Sequence, residues 1–175
     1  MKKRMYRPTV AMLIGLFWAA PAFPQAKICS LETHDYGRYL GAGSGHVHVV
    51  QVIPKNTGAA CLVSYAAKLT REHPGVLYEF FDAQSHDLSA YMSWQTAISG
   101  AMDRGEEYLK ENLQRLSAEN RYSDKWVNKH HIATLLASSD VNTAAAVDEN
   151  GCQQWILKSE DNKTMATFDH ICTAR

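Results

Sequence analysis

His46–Asp82 reads HVHVVQVIPK, NTGAACLVSYAAKLTREHPG, VLYEFFD, and this stretch decides the fold. Its first piece is apolar and β-prone, with Val47, Val49, Val50, Val52 and Ile53 running to Pro54, which has no N–H to give a ladder. The middle piece has helical spacing at Leu62, Tyr65, Ala66 and Leu69, with Asn56 or Thr57 as its cap and Pro74-Gly75 as its stop. The last piece is again apolar, with Tyr78, Phe80 and Phe81. A helix of about sixteen residues spans roughly 24 Å, and a strand of about seven spans roughly 23 Å. The lengths match, so the spacing predicts a parallel strand–helix–strand unit with the Leu62/Ala66/Leu69 face buried on both strands. The unit fixes a fold and carries no chemistry.

Upstream, Lys2, Lys3, Arg4 and Arg7 precede an apolar run from Val10 to Ala20, and small residues follow at Ala20-Pro21-Ala22 and Ala26. The run is shorter than the ~20 residues that span a bilayer, so residues 1–22 read as a secretory signal, with cleavage as late as Ala26. Lys27 argues against lipid attachment at Cys29. The expected mature chain, 27–175, is a single α+β domain, periplasmic or secreted, without a membrane anchor. Removing residues 1–22 leaves 14 Lys+Arg against 18 Asp+Glu, a net charge of −4. A mildly acidic surface excludes an electrostatic footprint for nucleic acid or anionic membrane.

All four cysteines lie beyond the signal, and an even count in an exported chain points to two disulfides. No pair has the close spacing of a Cys₄ metal site. The expected pairing is Cys29–Cys61 with Cys152–Cys172, each bond worth about 3–4 kcal/mol on the loop-entropy model.

Residues 31–45 hold four glycines in their last nine positions. A phosphate cradle at Gly41-Ala42-Gly43-Ser44-Gly45 would have to follow a strand and open a helix, whereas this run leads into a strand, so it reads as a flexible turn entering that strand. His46 and His48 are two apart on that strand, share a face and are the candidate metal ligands, but no third ligand can be nominated. No cofactor is expected.

Ile53-Pro54-Lys55-Asn56-Thr57, the amphipathic helix and Leu77-Tyr78-Glu79-Phe80-Phe81-Asp82 together resemble a strand–helix–strand segment in small uncharacterised domains of exported bacterial proteins. The resemblance covers roughly forty residues, rests on no catalytic motif and implies no function.

Ser85-His86-Asp87 has the letters of a hydrolase triad, but adjacent side chains cannot form the nucleophile–base–orienter line, so it reads as a polar turn. Residues 88–98 read as a short strand or extended packing segment around Tyr91 and Trp94. From Asp103 to Glu119 a second helix is expected, with an apolar stripe at Leu109, Leu113 and Leu116 and the pairs Glu106–Lys110 and Glu111–Arg115 outside. Glu106, Glu107 and Glu111 are its solvated face rather than paired catalytic carboxylates.

His131–Ala137, Thr143–Val147, Gln153–Lys158 and Thr164–Phe168 are β-prone runs separated by turn signals, which predicts a C-terminal antiparallel meander. A final turn at Asp161-Asn162 would set Cys152 opposite Ile171 or Cys172, the basis of that pairing. Asn162-Lys163-Thr164 is a glycosylation sequon on the same turn. His130 and His131, read as neighbours on a strand, face opposite ways, so only one can enter a given site.

Three functional classes remain. The favoured one is a non-catalytic module binding another protein, of immunity or inhibitor type. The others are a small secreted hydrolase, for which His131, Asp82 and Glu79 are the catalytic candidates, and a metal-handling protein using His46 and His48. A compact pocket joining titratable residues would favour the enzyme, and a large exposed patch the partner-binding module.

Overall fold

The computed structural model of the chain describes Cys29 and residues 31–41, 46–137 and 152–172, without the side chains of 169–172. The expected unit is its centre: strand β2 (Val47–Val52), helix α1 (Ala59–Glu72) and strand β3 (Val76–Phe81). β2 and β3 run parallel in unbroken register from Val47–Val76 to Val52–Phe81. Leu62, Ala66 and Leu69 are buried, so the helix has the expected phase. Its cap differs from expectation. Gly58 precedes the first turn without a side-chain cap, and Thr57 Oγ1 instead donates to the Pro54 carbonyl at 2.6 Å, tightening the loop. Gly75 closes the connection at φ 87°, a conformation glycine adopts at no steric cost.

Two stretches depart from the sequence reading. His34–Leu40, to which that reading assigned no element, forms strand β1, antiparallel to β2 with a bulge between Asp35 and Gly37. The glycine-rich residues 42–45 that follow lie outside the described residues. His86–Met102, expected as a turn and an extended segment, is helix α2. Ser85 is its N-cap, accepting from the Asp87 amide at 3.0 Å, so the Ser-His-Asp run opens a helix. The expected second helix becomes α3 (Glu106–Glu119), starting three residues later than the pattern implied. Of its three leucines Leu116 is buried, while Leu113 is exposed. Glu106 pairs with Lys110 at 2.6 Å, but Arg115 reaches forward to Glu119 at 2.7 Å rather than back to Glu111.

Helix α4 (Asp124–His130) leads directly into β4 (His131–Ala137). His130 and His131 are therefore the end of a helix and the start of a strand, not two strand neighbours. β5 (Cys152–Ser159) and β6 (Thr164–Cys172) complete the antiparallel meander around Asn162, which sits at φ 65° in the final turn. The Thr143–Val147 run lies outside the described residues. Among the described residues six strands form one sheet in chain order, with β2–β3 its only parallel pair.

Strand alternation sends side chains to two cores. On the α1 side, Val49, Tyr78, Phe80, Leu135, Trp155 and Leu157 pack with Leu62, Ala66 and Leu69. On the α2 side, Val50 and Phe81 pack with Tyr39, Leu88 and Tyr91, flanked by Met92 and Trp126. Cys29 is joined to Cys61 with Cα atoms 5.5 Å apart. Cys152 stands opposite Cys172 in the β5–β6 register, the juxtaposition the second pairing needs.

Candidate functional site

Glu79 lies midway along β3, and alternation turns it to the α2 side while Tyr78 and Phe80 face α1. It is buried there among donors from three other elements. The Tyr39 hydroxyl of β1 donates to Oε1, the Tyr91 hydroxyl of α2 donates to Oε2 at 2.5 Å, and His48 Nδ1 of β2 lies 2.9 Å from Oε1. Gln95 Nε2 in turn donates to the Tyr91 hydroxyl at 2.7 Å. The Tyr39 and His48 rings stack at 4.7 Å.

Burial by itself would raise the Glu79 carboxyl, but the hydrogen bonds from His48, Tyr39 and Tyr91 outweigh it and hold the group below the usual carboxylate range. Burial and the Glu79 charge push both phenols far up, so Tyr39 and Tyr91 remain protonated donors. This arrangement fixes a carboxylate and clamps β1, β2, β3 and α2 together.

The other candidates are drawn elsewhere. Asp82 pairs with His130 Nδ1 at 2.7 Å, and its amide bonds the His130 carbonyl at 2.9 Å, so its partner is the histidine next to the expected one. The bulge between Phe80 and Phe81 sets His131 opposite Phe81, with the two rings 5.2 Å apart. His131 Nε2 lies 2.9 Å from Thr134 Oγ1. Burial lowers its pKa below the ordinary histidine value, against the opposing fields of Glu79 and Glu160. Of the metal candidates, His48 is engaged with Glu79, and His46 Nδ1 lies 3.4 Å from the Gly75 carbonyl. Among the described residues no group of three or more His, Cys, Asp or Glu is placed to hold a metal ion.

Sequence reasoning named Glu79 and His48 for separate roles and missed Tyr39 and Tyr91, which complete their cluster. The available signal was the charge of Glu79 inside an apolar strand, which demands buried partners. Among the described residues no helix is long and apolar enough to cross a membrane. The chain matches no protein-family model, no curated protein and no solved structure.

Proposed function

We propose that the chain is an exported, non-catalytic module of immunity or inhibitor type that takes an extended segment of a partner protein along β1. The observation that supports it is the state of that strand. β1 is one of the two outer strands of the sheet, opposite β6, and pairs among the described residues only with β2. At its end Leu40 and Val47, register partners, are 53 % and 39 % exposed, two of the three exposed large hydrophobic side chains among the described residues. An edge strand with apolar side chains at its end is the surface to which a partner adds a strand.

The mature protein, used as bait on the exported fraction of the source cells, should retain a protein that then binds it saturably as a purified pair. Leu40→Asp with Val47→Asp should abolish that binding while leaving the melting temperature unchanged. Equal binding by the double variant would overturn the proposal. So would hydrolytic turnover that disappears in His131→Ala, or one tightly held metal lost in His48→Ala.

A further inference from the structure

On the opposite side of the sheet from Glu79, a cleft of about 290 Å³ opens between α1 and the strands β1–β3. Its floor is a chain of side-chain hydrogen bonds. Gln51, only 4 % exposed, donates to Asp35 Oδ1 at 2.6 Å and accepts from the Tyr65 hydroxyl at 3.2 Å, which lies 3.0 Å from Thr33 Oγ1. These bonds hold the floor rigid without filling it.

Two groups in the cleft are left over. Tyr78 is 5 % exposed, yet its hydroxyl makes no hydrogen bond among the described residues. That hydroxyl feels Tyr65, Asp35, Arg38 and Glu72, all of which line the cleft, so it is aimed into it. Burial, reinforced by Tyr65, Asp35 and Glu72 and opposed by Arg38, pushes Tyr78 up to about 12, which keeps it a donor. The Arg38 guanidinium, on the rim, likewise forms no ion pair among the described residues. Both groups are donors open to the cleft, free to meet an acceptor that something entering it supplies.

The remaining walls define what that something is. Asp35 and Glu72 are matched by Arg38 and Lys68, and Lys68 and Glu72 stand 3.8 Å apart. Balanced charge suits a ligand that carries both signs. Val49, Leu69 and Val76 supply an apolar wall beside these groups. The volume lies at the small end of ligand sites, which span roughly 300–1,000 Å³.

We propose that this cleft binds a free zwitterionic α-amino acid with an aliphatic side chain. Its carboxylate takes Arg38 and the Tyr78 hydroxyl, its ammonium takes Asp35 and Glu72, and its side chain rests on Val49, Leu69 and Val76.

Titration calorimetry and thermal shift on the mature chain with leucine, valine and alanine test it. At least one should bind saturably and raise the melting temperature, with N-acetyl-leucine and leucinamide about tenfold weaker or worse. Tyr78→Phe keeps the ring in the core and should leave the unliganded melting temperature unchanged while weakening binding about tenfold. Arg38→Gln should do the same. No heat and no thermal shift up to about 10 mM of any of the three amino acids would overturn the proposal. So would equal binding of the blocked forms, or unaltered affinity in Tyr78→Phe. Leu40→Asp with Val47→Asp should bind the amino acid normally, which separates this site from the β1 surface.

Discussion

Glu79 is where the fold departs furthest from simple burial of apolar surface. A carboxylate in a sheet interior is strongly penalised unless donors surround it, and here they come from β1, β2 and α2. Removing one leaves a buried acceptor short, so Tyr91→Phe should cost about 1–3 kcal/mol in urea unfolding. A change under about 0.5 kcal/mol would mean the carboxylate does not depend on that bond. The pH dependence separates two groups. The folded Glu79 carboxyl lies below its ordinary value of 4.5, so its stabilisation is complete above about pH 4.5 and is lost as pH falls through the lower folded value. Burial puts folded His131 below its ordinary value of 6.5, so its contribution is complete above about pH 6.5 and falls away in the range just below. Melting curves across pH should therefore show His131→Gln flattening the limb below pH 6.5, and Glu79→Gln flattening only the limb below pH 4.5. Identical limbs in the two variants would reject this assignment. Glu79 and His48 were visible in the sequence as polar residues on apolar strands. Their union was not, because Tyr39 and Tyr91 sit in the two segments whose structure was misread.

Those two misreadings have definite physical causes at the scale of the element. α2 is apolar on more than one side because it is sandwiched: Leu88 and Tyr91 meet the sheet, while Trp94 reaches α3 through Ser117 Oγ at 3.1 Å. Trp94 also stacks on Tyr122 at 3.9 Å. A helix buried on two faces loses the single stripe that identifies helices in sequence. β1 hid for the opposite reason. HDYGRYL alternates poorly, contains a bulge, and carries a glycine where an added Cβ would lie 2.5 Å from Met92 Cε. α1, with one buried face and one wet face, was legible in its phase, although its cap fell at Gly58 rather than Asn56 or Thr57. Its phase is testable: Leu69 is buried and Lys68 is exposed. Leu69→Ala should cost about 2–5 kcal/mol, and Lys68→Ala under about 0.5 kcal/mol. If thermal unfolding ranked Lys68→Ala as the more damaging, the buried face would be misassigned.

Across the whole molecule, the sheet is laid down in chain order, so each new strand finds its neighbour already in place. That leaves β1 as the outer strand at one end, tied to the body by β2, by Tyr39 on Glu79 and by the covalent link just before it. The Cys29–Cys61 bond closes a separation of 32 residues and anchors the approach to β1 on the first turn of α1. Thr33 and Asp35, two walls of the α1-side cleft, lie between that anchor and the bulge. The expected pairing joins Cys152 to Cys172 at the far end of the sheet, where the β5–β6 hairpin already holds the two opposite each other. The two bonds thus differ in what they organise, although loop entropy assigns each about 3–4 kcal/mol. Peptide mapping without reductant should recover Cys29 with Cys61 and Cys152 with Cys172, and a Cys29–Cys152 or Cys29–Cys172 peptide would refute the pairing. Replacing Cys29 and Cys61 by serine should lower global stability by about 3–4 kcal/mol. Local openings follow the weakest cooperative unit, so hydrogen exchange in that variant should quicken most in β1 and the start of α1, with the central strands β3 and β4 changing least. Exchange that quickens equally in all six strands would mean the bond constrains only the unfolded chain, and that β1 owes its place to the Glu79 clamp alone.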